Sequence, residues 1–213
     1  MNKCFYGMLS ALVLLTGCAT SRSTLEIAAP KSSYSAPTGG QEVYINAVVD
    51  KRVFEANPKT PNIPSVDPSE AQGTDIKARA VARKRNGFGK ALGDVLLPAG
   101  NSVEALTTAA IRQAFAKRGY RVIEERSQVT SNTQIVNADI QKFWSWLNPG
   151  FWTLSIATEI STPIDIKSSA GDQHLEVNVS HKRHFQTGAE GNWIQTITEA
   201  LALYTDDLSK KIK

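Results

Sequence analysis

Cys18 is the residue whose neighbours announce its chemistry most clearly. Leu15-Thr16-Gly17-Cys18 reads as a bacterial lipobox. The thiol is the acceptor for a diacylglycerol, and the small residues Thr16 and Gly17 let the backbone enter a peptidase site. Ahead of it lie Lys3 and an apolar run from Met8 to Leu15, too short to span a bilayer as a permanent helix. On this reading residues 1–17 are a removable signal and Cys18 is the lipidated mature N-terminus. A plain signal peptide or an accidental cysteine is the blander alternative. Ala19 stands where Asp is the usual signal for inner-membrane retention, so delivery to the outer membrane is expected.

Other reactive side chains are poorly placed for catalysis. On a strand, the offset of three between His181 and His184 puts them on opposite faces, and His174 sits in a turn-flanking position, where no cysteine or carboxylate pair is expected near it. Asp206 and Asp207 are adjacent on a helix and diverge by about a hundred degrees, which is poor geometry for a shared acid/base site. Gly87, Gly89 and Lys90 only superficially suggest a phosphate loop, because no Ser or Thr follows the lysine. No nucleophile elbow, Ser-Lys signature or His-Glu zinc motif is present. The expectation is a protein that is not an enzyme, with no cofactor and no metal.

Charge and cysteine usage fit an envelope location. The chain carries 24 Lys and Arg against 20 Asp and Glu, a formal net charge of +4. That suits contact with anionic headgroups or cell-wall polymers and is too small to argue for nucleic acid. Cys4 leaves with the signal and Cys18 is consumed by lipid, so the mature domain has no disulfide and depends on apolar burial.

The elements that must position any site follow in order. Residues 18–41, rich in Ser, Thr, Ala, Pro and Gly, read as a lipidated flexible tether, although Leu25, Ile27 and Tyr34 are apolar enough to lie along the domain. Residues 42–213 then form a single domain. Alternation from Glu42 to Val49 predicts a strand that ends in a charged turn, Asp50-Lys51-Arg52. An insertion at 54–90 follows, read as an exposed loop broken by Pro58, Pro61, Pro64 and Pro68. Asn101 or Ser102 opens an amphipathic helix, with Glu104 as capping-box partner, Val103, Leu106, Ala110, Ile111, Ala114 and Phe115 on its apolar stripe, and Gly119 as its stop.

Tyr120–Ile123 predicts a short strand before a polar loop at 124–132. The alternation that follows puts Ala138, Ile140, Lys142, Trp144 and Trp146 on one face of a long strand. After the Asn148-Pro149-Gly150 turn, Leu154 to Ile166 predicts a return strand with one buried face, and Leu175 to Phe185 predicts its partner. Asn192 reads as the cap of a final amphipathic helix whose apolar positions are Trp193, Ile197, Leu201, Tyr204, Leu208 and Ile212.

Two surfaces are candidates for interaction. Lys77 to Lys90 contains Arg83, Lys84, Arg85 and Lys90 and no acidic residue. It is either a docking patch or a solvated face, and in both readings Arg83, Lys84 and Arg85, being adjacent, are expected to be largely exposed. Trp144, Trp146 and Trp152 cluster around one turn and share a hairpin face by alternation; they are either core or a binding or membrane-interface tip.

The Asp50-Lys51-Arg52 turn, the helix running into Lys117-Arg118-Gly119-Tyr120, the Asn137-Ala138-Asp139-Ile140 and Ser155-Ile156-Ala157-Thr158 strands and the closing Asp206-Asp207-Leu208-Ser209 come in an order that resembles the YajG family of bacterial lipoproteins. The resemblance implies a lipid-anchored α+β periplasmic domain with no catalytic residues to carry over. The 54–90 insertion and the tryptophan tip depart from it. The reading is therefore α+β: an antiparallel sheet with a long meander and two main amphipathic helices on one face. Its expected function is that of a non-catalytic outer-membrane lipoprotein facing the periplasm, with the membrane and an unknown envelope protein or cell-wall component as partners and no nucleic acid. The alternative is an auxiliary lipoprotein of an envelope lipid-transport system, suggested by a looser likeness in layout.

Overall fold

The computed structural model describes residues 22–30, 40–150 and 152–213. The signal, Cys18 and Tyr34 lie outside the described residues. The elements are β1 (Ser23–Thr24), β2 (Glu42–Asp50), α1 (Thr74–Arg79), β3 (Ala80–Arg85), β4 (Ala91–Leu96), α2 (Val103–Lys117), β5 (Arg121–Ile123), a 3-10 turn (Arg126–Gln128), β6 (Gln134–Ile140), β7 (Lys142–Pro149), β8 (Leu154–Lys167), β9 (Gln173–Phe185) and α3 (Glu190–Lys211). The α+β class and the two long helices agree with the sequence reading. The sheet is mixed rather than purely antiparallel, since β1/β4, β2/β5, β2/β6 and β3/β7 are parallel pairs.

The sheet is organised around β8. Along one side β8 pairs with β9 over its length, from Leu154 opposite Phe185 to Ile166 opposite Gln173. On its other side the first half pairs with β7 and the second half with β6. Two arms spread from there, β7-β3-β4-β1 and β6-β2-β5. The isoleucines of β8 explain this position, because Ile156, Ile160, Ile164 and Ile166 are all buried on one face under the helices, as the alternation predicts.

One expectation fails at the join between β6 and β7. The register steps from Ala138 opposite Ile164 to Lys142 opposite Ser161, four residues against three, so one residue is extra. Gln141 occupies that bulge, its amide donating to the Ser161 carbonyl at 3.0 Å. A bulge reverses the facing of everything beyond it. Phe143 therefore joins Ile140 in the main core, and Trp144 turns to the opposite face.

That opposite face is covered by the insertion, which is not an exposed loop. Val66, Ala80, Leu96 and Trp144 form a second buried cluster, flanked by Phe54, Ala71, Ile76 and Trp146. Trp144 Nε1 donates to the Pro61 carbonyl at 3.1 Å, and the Phe54 ring stands edge-on to it at 6.0 Å. The prolines forbid regular structure from 54 to 73 but not burial. The basic half of the insertion supplies α1, β3 and the turn that leads into β4.

The predicted stripes of α2 and α3 are buried in full. Ser102 is one of the two expected caps of α2, whereas the roles of Glu104 and Asn192 differ from expectation. Ser102 Oγ caps α2 by accepting from the Ala105 amide at 3.1 Å, while Glu104 Oε1 accepts from the Asp50 amide at 2.8 Å and so ties helix to sheet. α3 begins at Glu190, two residues before the predicted cap; Asn192 Nδ2 donates to the Thr187 carbonyl instead. Within the stretch read as tether, Ser23–Thr24 pairs with β4, and Leu25 and Ile27 are buried in the main core.

Candidate functional site

The basic segment divides by strand alternation. Arg83 is 8% exposed, contrary to expectation, because it faces the insertion and sits 3.5 Å from Asp94 Oδ1 and 3.8 Å from Asp67 Oδ2. Asp94, 2% exposed, also lies 3.6 Å from Arg22 and accepts from the Asp67 amide at 3.0 Å. The Arg83–Asp94 contact is a charge pair without hydrogen-bond geometry: Arg83 Nε and Nη1 and Asp94 Oδ1 find no hydrogen-bond partner among the described residues.

Arg85 is half-buried, with Nη2 donating to Ser65 Oγ at 3.0 Å and Nη1 to the Gly89 carbonyl at 2.9 Å. Burial, helped by the neighbouring Arg83, pulls the pKa of its guanidinium below the ordinary value. Lys84 faces the other way, and its Nζ donates to Ser23 Oγ at 2.6 Å. That hydroxyl in turn donates to Glu190 at the start of α3. Of the four, Lys90 alone is exposed.

The tip between β3 and β4 is a built turn. Asn86 Oδ1 accepts from the amides of Phe88 at 3.0 Å and Lys90 at 2.9 Å, and Gly89 takes a φ of +81°, a conformation that favours glycine. The result holds Phe88 outward, 98% exposed. The neighbouring tip closes through Gly150, whose amide donates to the Thr153 carbonyl at 2.9 Å; a Cβ there would come within 2.5 Å of that oxygen. Trp152 stands beyond the strand, 83% exposed. The three tryptophans therefore do not share an environment: Trp144 is core, and Trp146 is half-buried beneath Lys142, whose Nζ lies 5.7 Å from its ring.

These tips lie at one end of the molecule. β3 and β7 run parallel with Ala82 opposite Ser145, so Arg85 and Asn148, three residues on, leave the sheet together. Phe185, opposite Leu154, brings the end of β9 to the same edge. Arg183 there donates to Glu199 at 2.7 Å and lies over the Phe185 ring at 5.7 Å. Burial pushes the Glu199 carboxyl up, but hydrogen bonds from His181, Gln195 and Arg183 together outweigh it and hold the group below its ordinary value. Phe88 and the Lys182-Arg183 pair were not singled out from the sequence. The available signal was an aromatic residue between two glycines in a basic turn.

The titratable groups considered for chemistry are dispersed. Asp206 pairs with Lys117 at 2.6 Å and Asp207 with Lys211 at 2.8 Å, in separate directions. His181 is bonded to Glu199, and the alternation of β9 leaves His184 exposed on the other face. His174 does have carboxylate neighbours, contrary to expectation: Asp165 is its cross-strand partner, 2.7 Å from Nδ1, and Glu176 lies 3.1 Å from Nε2. Hydrogen bonds to those two carboxylates, which favour the protonated ring, raise its pKa above 6.5. Among the described residues no group of three or more His, Cys, Asp or Glu converges to hold a metal, and no helix is long and apolar enough to cross a membrane.

No protein-family model and no curated protein matches this chain. Among solved structures, an uncharacterized protein is similar over 92% of this chain and 99% of its own, at 8% identity and a TM-score of 0.49. A Xanthomonas campestris protein of the DUF330 family is similar over 86% and 92%, at 12% identity and a TM-score of 0.41. A Helicobacter pylori protein described as a homolog of a neuraminyllactose-binding hemagglutinin is similar over 89% and 92%, at 10% identity and a TM-score of 0.34. With TM-scores below 0.5, these similarities assign neither family nor function to the chain.

Proposed function

We infer that the protein is a non-catalytic envelope lipoprotein, held in the outer membrane through acyl chains on Cys18 and docking an envelope protein or the cell wall from the periplasmic side. The single observation that carries this reading is the Leu15-Thr16-Gly17-Cys18 lipobox behind a short apolar segment. The order of short motifs that resembles the YajG family supports it. Compatible with it is the way the ionisable side chains are spent on structure: Arg52, Arg83, Asp94, Glu104 and Glu199 each tie one element to another. A docking protein needs a rigid scaffold and an exposed surface, not a cleft with paired titratable groups. Crosslinking in intact cells, with photoreactive groups introduced across the exposed residues of β9, should recover one specific envelope partner. Recovery of none under several crosslinking chemistries would count against the docking role.

A further inference from the structure

We propose that the end of the domain formed by the 86–90 turn, the 149–153 turn and the last residues of β9 rests on the anionic phospholipid leaflet that holds the Cys18 acyl chains, with Phe88 and Trp152 seated at the headgroup boundary. The proximity part rests on the lipid-anchor reading above. The contact part rests on the tips themselves.

Chain direction gives the first argument. β1 runs parallel to β4 with Ser23 opposite Val95, so the chain reaches Ser23 from the side on which β4 begins, the side of the 86–90 turn. Arg22 continues that approach beside Asp94. Whatever path the intervening residues take, five residue steps from Cys18 to Ser23 span at most roughly 18 Å. A lipid on Cys18 therefore keeps this end of the sheet near the headgroups.

Surface chemistry gives the second. Phe88 and Trp152 are the two most exposed large apolar side chains among the described residues, and they project from adjacent tips. The segments 84–91, 147–155 and 182–189 that make up this end contain Lys84, Arg85, Lys90, Lys182 and Arg183 and no Asp or Glu. Aromatic side chains among basic residues suit the interface of an anionic bilayer, where rings sit at the headgroup level and cations meet phosphate. The Asn86 hydrogen bonds and Gly89 fix the 86–90 turn before contact, which lowers the ordering cost of docking. A lipid chain plus a basic patch is the two-signal combination that gives a stable attachment. On this orientation the β8–β9 hairpin, about 43 Å long from its residue count, carries the His174 end away from the membrane.

The test uses the full protein purified from membranes and reconstituted in phosphatidylethanolamine–phosphatidylglycerol vesicles whose acyl chains carry bromine, a contact quencher of tryptophan. Trp144 and Trp193 are buried and Trp146 half-buried, so the expected quenching belongs to Trp152 and disappears in Trp152→Phe, which keeps an aromatic tip. Phe88→Ser combined with Lys90→Gln should weaken it, and so should replacing the anionic lipid with phosphatidylcholine. Intact mass reports acylation separately. Protein without acyl chains would contradict the anchor, while quenching of Trp152 by that protein would still support the tips. Vesicle-bound protein that is unquenched, or equally quenched after Trp152→Phe, overturns the proposal. So does a photoreactive residue in place of Trp152 that crosslinks in cells to an envelope protein instead of lipid.

Discussion

Arg52 grips Asp50 through two parallel hydrogen bonds, Nε to Oδ1 at 2.8 Å and Nη2 to Oδ2 at 2.7 Å, and so fixes the point at which the two arms of the sheet part. Asp50 ends β2 on one arm. On the other, Arg52 Nη1 donates to the carbonyls of Ala80 at 2.6 Å and Phe143 at 3.0 Å, and Nη2 to that of Lys77 at 2.7 Å. The guanidinium is a planar fork that a lysine cannot copy. Arg52→Ala leaves a carboxylate and buried carbonyls unpaired and should cost about 3–5 kcal/mol in chemical denaturation. Arg52→Lys should recover only part of that. Near-normal stability of the alanine variant would show that the arms do not depend on this bolt.

Arg83 and Lys90 belong to the same basic run but should respond oppositely. Arg83→Gln strips Asp94 of its nearest cation and is expected to cost about 3 kcal/mol, the low end for a broken buried pair, because Arg22 remains close. Lys90→Gln should change stability by less than about 1 kcal/mol. Paired urea melts of the two variants decide the matter, and equal effects would contradict the assignment of Arg83 to the interior.

Trp144 should hold the insertion on the sheet. Trp144→Ala removes a buried ring and the hydrogen bond to Pro61, at an expected cost of about 3–5 kcal/mol. Limited proteolysis should then cut within 54–73 before the rest of the domain. Cleavage at the same sites and rates as wild type would mean that the loop is held by other contacts.

His174 predicts a pH effect of definite sign. Asp165 and Glu176 raise its folded pKa above the ordinary 6.5, so its contribution to stability is fully present below pH 6.5 and fades as pH rises through the raised value. Melting midpoints should fall slightly across that window in the wild type. The same decline persisting in His174→Gln would assign it to another group.

The sequence made some of this legible because period-two and period-3.6 patterns survive folding. The isoleucines of β8 and the stripes of α2 and α3 are read correctly for that reason. Trp144 is misassigned because a single bulged residue, Gln141, carries no signature of its own and reverses the face beyond it. Asp50 lies two residues from Arg52, but the carbonyls of Lys77, Ala80 and Phe143 that bury the guanidinium, and the Asp94 that β4 brings to Arg83, are distant in sequence and local spacing does not reveal them. The His174 pair is hidden only in part, since Glu176 lies two residues on along the same strand face while Asp165 meets the ring only through the β8–β9 register. Of the basic and aromatic end, Lys90 and Trp152 were visible as candidates, but that their tips converge follows from the parallel pairing of β3 with β7, a long-range relation.

The central claim is that lipid on Cys18 is the indispensable anchor, without which the contacts of the tips do not hold this domain at the membrane. Membrane fractionation of cells producing Cys18→Ala, with a high-salt wash to strip ionic contacts, tests it most directly. The account predicts that the variant domain folds with wild-type thermal stability and leaves the membrane pellet, while the wild type stays. A variant that remains with the membranes after the salt wash would contradict it.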